Sequence, residues 1–220
     1  LINMKKKDRA IVIQEILNDL YPKTEIPLFH KDPFTLLIAV LLSAQSRDKK
    51  VNELTEVLFK KASNVAEFIN LGEKGIYRYI KEIGLAKTKA KNIYKLSLII
   101  QNEFKGKVPN NFKDIESLPG VGHKTASVVM AQAFGFDTFP IDTHIHRLAQ
   151  RWELTAGNNV IQTEKDLKNL FPQNKWNKLH LQIIFYGREY CSAKGCDGTV
   201  CIICKRLFPN RRIAVKYKKA

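Results

Sequence analysis

Acidic side chains are scarce in this chain: 21 Asp and Glu stand against 37 Lys and Arg, a formal charge of +16 over 220 residues. A surplus of that size points to a polyanionic partner, nucleic acid first, over a protein that merely happens to be basic. Long apolar runs are missing too. The longest, LLIAVLL at 36–42, is far short of the ~20 residues that cross a bilayer and fits a buried helix segment. The amino end, LINMKKKDRA, has charge but no apolar core or small-residue cleavage site behind it, which argues against a secretory signal. The expected location is cytoplasmic, nucleoid-associated if the source is bacterial. Cysteine is limited to four residues, all in one short segment. In a reducing compartment such a group serves a metal or catalysis more often than disulfides. Alternating strand patterns, tandem repeats and low-complexity blocks are also lacking.

What is present is helical periodicity. RAIVIQEILNDLY puts Ile13, Ile16, Leu17 and Leu20 on one face. Asp32 and Pro33 form a cap and first-turn pair ahead of FTLLIAVLLSAQ. NELTEVLFKKA, NVAEFINLG and GIYRYIKEIG are short amphipathic segments, and Thr88 is placed to cap KAKNIYKLSLIIQNEF, with Gly106 and Pro109 as stop signals. Further helices are expected over 123–134, 143–153, 163–171 and KWNKLHLQIIFYGREY. The fold class is therefore all-α, about ten helices with short links. The last residues, KRLFPNRRIAVKYKKA, read as a solvated basic tail able to touch phosphate.

The segment LPGVGHKTASVVMAQAFG, 118–135, carries the most chemistry. Pro119 disfavours helix at Leu118. Gly120 and Gly122, flanking Val121, allow positive φ and a sharp turn with exposed N–H groups. A helix then starts near His123, and a helix amino end favours an anion. Ala126, Val129, Met130 and Ala133 form its buried stripe. Lys124 lies two positions, about 200°, before Ala126 and so points away from that stripe. In FPIDTHIHRLAQRW, Asp142 occupies an N-cap position ahead of the stripe Ile145, Leu148, Ala149 and Trp152, which fixes a carboxylate in place. Gln45 falls on the angular line of Phe34, Leu37, Ile38 and Leu41, so it is either hydrogen-bonded at the core edge or aimed at a partner. Leu85 follows Gly84 in an expected loop, and Lys87, Lys89 and Lys91 nearby suit backbone phosphates. His123, His144 and His146 show no ligand spacing and read as satisfied or solvent-facing imidazoles.

Cys191, Cys196, Cys201 and Cys204 in CSAKGCDGTVCIIC can hold zinc or a [4Fe–4S] cube; two disulfides are a poor third choice.

LPGVGHKTASVVMAQAFG followed by IDTHIHRLAQR, together with LLIAVLLSAQSRD, GLAKTKAKNI and YGREYC, resembles the helix–hairpin–helix DNA glycosylases, specifically the endonuclease III family. The resemblance spans most of the chain. It implies two helical lobes with a DNA-binding groove between them, one over 23–137 with the hairpin, the other joining 1–22 to 138–220 with the cysteines. It implies a bifunctional DNA N-glycosylase and abasic-site lyase that excises oxidised pyrimidines from double-stranded DNA, as a monomer. Lys124 is then the nucleophile that forms a Schiff base and Asp142 the catalytic aspartate. Gln45 enters the gap left by the flipped nucleotide, Leu85 is an apolar wedge (core packing being its alternative), and Gly120, Val121 and Gly122 hold the phosphate. The four cysteines then hold a [4Fe–4S] cluster, with zinc or no metal as alternatives. Here the spacing departs from the family: C-x4-C-x4-C-x2-C replaces C-x6-C-x2-C-x5-C. If Cys201 and Cys204 match the family's central pair, its last position falls on Asn210 and Cys196 has to supply the fourth ligand. An adenine glycosylase of the same superfamily is the nearest rival, disfavoured by LLSAQ and the short tail. A non-catalytic hairpin protein that only binds DNA is the rival from another class.

Overall fold

A computed structural model of the chain describes residues 4–220; the first three residues of LINMKKKDRA lie outside the described residues. Among the described residues there are eleven α-helices, one short 3-10 turn and no strand. None of these helices is long and apolar enough to cross a membrane. The chain divides into two compact units. One is Ile26–Phe136; the other joins Asp137–Ala220 to the amino-terminal stretch that ends at Glu25.

The first unit holds α2 (Pro33–Ser43), α3 (Asp48–Lys61), α4 (Val65–Ile80), α5 (Ala86–Glu103), α6 (Phe112–Ser117) and α7 (His123–Phe134). Helix α2 is its centre. Every residue from Phe34 to Leu42 is buried, as a helix apolar on all sides requires. It packs on α3, α5 and α7. Side chains such as Leu37 and Ile38, fully buried, each contribute about 1.5–3 kcal/mol. Its start is fixed by a capping box: Asp32 Oδ1 accepts the Thr35 N–H at 2.8 Å, and Thr35 Oγ1 accepts the Asp32 N–H at 3.0 Å. Helix α4 breaks at Gly72, whose φ of +69° interrupts it between NVAEFINLG and GIYRYIKEIG.

The second unit holds α1 (Lys6–Leu20), α8 (Thr143–Arg151), α9 (Val160–Leu170), α10 (Trp176–Glu189) and α11 (Ile202–Leu207). Ile13 and Leu17 of α1 join Ile145, Leu148 and Trp152 in its core. The four cysteines lie in that same core.

Two sequence expectations are corrected here. Helix α5 starts at Ala86, with Leu85 as an N-cap that makes no side-chain cap, so Thr88 lies inside the helix. The basic tail is not a loose charge run. The Val215 N–H donates to Asp197 O at 2.7 Å, and Gln150 exchanges two hydrogen bonds with the backbone of Lys218, at 2.8 and 3.0 Å. Arg211 donates to Arg151 O at 2.7 Å and pairs with Glu153. Backbone groups hold the tail, and the charge count does not reveal them.

Candidate active site and cysteine centre

The hairpin between α6 and α7 is built by three different devices. Leu118 leaves the helix in an extended conformation ahead of Pro119. Gly120 takes φ +81°, which favours glycine, and a Cβ there would press on the Asn92 side chain of α5, with Nδ2 at 2.7 Å. Gly122 corrects the expectation of a second positive φ: it is extended, at −93°, and is the N-cap of α7. A Cβ on Gly122 would meet nothing within 4 Å, so its value is open space in front of the helix start. Val121 is buried and its N–H donates to Leu118 O at 3.0 Å. It anchors the turn from inside.

Lys124 is the second residue of α7 and is exposed, while Ala126, Val129 and Met130 are buried. The helix start thus carries an amine outward beside N–H groups that have no intrahelical partner. His123 Nδ1 lies 2.7 Å from Glu116 Oε1, which ties the first residue of α7 to α6.

Asp142, in the other unit, is the N-cap of α8. Its Oδ1 accepts the Ile145 N–H at 2.8 Å. The carboxylate is half-buried and fixed through this one oxygen, and Oδ2 takes no part in the cap. Of the two histidines in α8, His146 is buried: Nδ1 lies 2.8 Å from Thr163 Oγ1 and Nε2 has no partner. His144 Nδ1 lies 3.3 Å from an Arg147 guanidinium nitrogen.

Gln45 does not continue α2. The helix ends at Ser43, and Gln45 takes a left-handed φ of +56° with its side chain exposed. This removes the core-edge alternative. Leu85 takes φ +59° and is 60% exposed, which removes core packing. A Cβ on Gly84 would lie 3.9 Å from Gln45 O, so these two tips are side by side. Lys87 and Lys91 are exposed, but Lys89 is buried and turned inward, contrary to the phosphate role expected of it. Its Nζ donates to Leu42 O at 2.9 Å and Ala44 O at 2.6 Å. The sequence signal was there to read: Lys89 lies three residues after Ala86 and four before Ile93, on the buried stripe of α5. Asn92 was missed for the opposite reason, since a half-buried amide leaves no pattern.

The sulfur atoms of Cys191, Cys196, Cys201 and Cys204 all lie within 4.8 Å of one another, and all four residues are buried. Cys196 therefore closes the set from its unusual position. Four thiols without an imidazole are the donor set of zinc or an iron–sulfur centre, and this group can bind a metal. Contacts with the Cys191 and Cys204 thiols push Cys201 down, toward thiolate, while contacts with Cys191 and Cys201 push Cys204 up. The surroundings favour negative charge. Arg151 Nη1 donates to Cys191 Sγ at 3.2 Å and to Ser192 O at 2.9 Å. Arg147, whose guanidinium is pushed below its usual value by burial and then by Arg151, donates to Cys191 O at 3.1 Å. The Gly198 N–H donates to Cys196 Sγ at 3.4 Å. Two buried guanidinium groups near the four sulfurs would offset the negative charge of thiolates holding a metal.

Residues 38–173 match the family described as HhH-GPD superfamily base excision DNA repair protein. Endonuclease III of Rickettsia felis is 42% identical, over 84% of this chain and 86% of the relative. Endonuclease III of Escherichia coli K12 is 40% identical, over 91% of this chain and 94% of the relative. A solved structure of a trapped endonuclease III–DNA covalent intermediate superposes with a TM-score of 0.86 at 34% identity, covering 91% of this chain and 94% of that one.

Proposed function

Since the chain belongs to the HhH-GPD superfamily of base excision DNA repair proteins, we propose that it is a bifunctional DNA glycosylase and abasic-site lyase. Its substrate is double-stranded DNA carrying oxidised pyrimidines, and it acts as a monomer in the compartment that holds the chromosome. The single observation that carries this reading is the exposed amine of Lys124 in the first turn of α7, directly after the Gly120–Gly122 hairpin.

The chemistry follows from the groups present. A base inside a duplex is out of reach and has to be extruded, at a cost of a few kcal/mol. The hairpin backbone holds a phosphate while Gln45 and Leu85 enter the stack. The neutral amine of Lys124 attacks C1′ as the N-glycosidic bond breaks and the base leaves with a proton. The C1′–O4′ bond then opens, O4′ takes up a proton and stays on C4′ as a hydroxyl, and a Schiff base remains between C1′ and Lys124. That iminium acidifies the C2′ proton. Removal of the proton expels the 3′ phosphate by β-elimination and cuts the strand. Asp142 stabilises positive charge developing on the sugar and takes part in the proton transfers. The cysteines hold a [4Fe–4S] cluster that braces residues 191–204. A brown protein absorbing broadly in the blue supports the cluster, and a colourless protein containing zinc contradicts it.

Single-turnover cleavage of duplexes with thymine glycol, dihydrouracil or a mismatched adenine tests the reading. The expected result is cleavage at the oxidised pyrimidines, lost in Lys124→Gln while DNA binding persists. Robust cleavage by Lys124→Gln contradicts it.

A further inference from the structure

We propose that Lys89 is a positioning residue that sets Gln45, beside Leu85, for entry into the duplex, by tethering the Gln45 loop to α5. The proposal rests on the reading that those two side chains enter the stack.

Lysine is expensive where Lys89 lies. The residue is only 5% exposed, and its ammonium faces neutral acceptors: Leu42 O at 2.9 Å, Ala44 O at 2.6 Å and Ser46 Oγ at 3.4 Å. Burial pushes its pKa down, as a cation without a carboxylate requires. A neutral side chain would avoid this cost. What the ammonium supplies is three donors in one place. They meet carbonyls at the end of α2, where a helix leaves acceptors without partners and where positive charge is favoured.

The placement matches two strained positions. Gln45 and Leu85 both occupy the left-handed region, at φ +56° and +59°, which non-glycine residues hold only when their surroundings enforce it. The Lys89 ammonium grips Ala44 O, the carbonyl directly before Gln45. Its backbone N–H donates to Leu85 O at 2.9 Å. That backbone bond is the first of α5 and would form with any residue there; what lysine adds is the side-chain hold on the Gln45 loop, which a substitution removes.

A double-mutant cycle tests this. In Lys89→Met, strand unstacking is read from 2-aminopurine placed beside an abasic-site analogue, and base excision is read under single turnover. We expect both signals to fall, excision by about a hundredfold, while salt-sensitive binding to undamaged duplex is kept. In a Gln45→Ala background the same substitution has little left to lose, about twofold or less. If Lys89→Met does not fold, Lys89→Gln, which keeps one amide donor group, carries the same cycle. Equal penalties in both backgrounds overturn the proposal and make Lys89 structural only, leaving Gln45 in its role. Wild-type unstacking by Gln45→Ala and Leu85→Ala, each tested alone, overturns the duplex-entry reading itself and the proposal with it.

Discussion

Asp142 caps α8, and the catalytic role proposed for it can be separated from that cap by a single substitution. Asparagine caps a helix as well as aspartate does, so Asp142→Asn keeps the bond to the Ile145 N–H and the fold. It removes the negative charge, and excision is expected to fall by about 10²–10⁴ with the unfolding midpoint unchanged. Asp142→Ala should lose the same activity and about 1 kcal/mol of stability as well. Thermal unfolding and single-turnover assays on the two variants check this; an active Asp142→Asn contradicts the catalytic role. The hairpin glycines separate in a similar way. Gly120→Ala meets both a strained φ and Asn92, and is expected to cost about 1–3 kcal/mol. Gly122→Ala meets open space and an ordinary backbone, so stability should hold while DNA affinity drops. At this scale the sequence was partly legible. The Pro119–Gly120 turn and the Asp142 cap follow from residue type. The different reasons for Gly120 and Gly122 do not, because both glycines look alike until φ and the neighbouring Asn92 are known. Lys89 was misread because a lysine in a basic chain looks like surface, although its register on α5 pointed inward.

Elements were the most legible part. Helix α2 was evident from its unbroken apolar run and its Asp32–Pro33 start, and α7 and α8 from their stripes. The element ends were less so. Gln45 fits the α2 line by angle, yet the helix stops two residues earlier, and the C-terminal carbonyls are taken up by a lysine 45 and 47 residues away in sequence. Between α8 and α9, buried His146 gives a pH signature. Burial holds its pKa below the usual value. The unfolded chain therefore binds the proton first, and stability falls as pH drops below about 6.5, until the folded imidazole also titrates. Unfolding midpoints between pH 7.5 and 5 should decline, and the decline should be smaller in His146→Gln; an equal slope in both contradicts this account.

The whole molecule carries its charge as a binding device. With +16 overall, neutralising roughly six or more phosphates should make duplex affinity fall by about 10³ or more between low and moderate salt. A shallow salt slope in a binding titration would show that few phosphates are engaged. The cysteine centre and the tail form one assembly with α8, because Arg151 reaches Cys191 and stacks on Tyr217, and Gln150 holds Lys218. Substituting Cys196→Ser, or chelating a metal held by the four cysteines, should expose both 191–204 and 211–218 to protease together; protection of the tail alone would contradict that coupling. The four-cysteine group was legible in the sequence, Cys196 as fourth ligand included, although spacing alone does not show that the four sulfurs converge. The folded tail was hidden because its holds are long-range: backbone groups of Val215 and Lys218 on Asp197 and Gln150, and Arg211 on Arg151 and Glu153.

The central claim is a covalent bond between Lys124 and the sugar of damaged DNA, and borohydride reduction during turnover captures it. Peptide mapping of the trapped product should place the adduct on Lys124, with no trapping by Lys124→Gln. An adduct on another lysine, or unchanged trapping by that variant, would contradict the account.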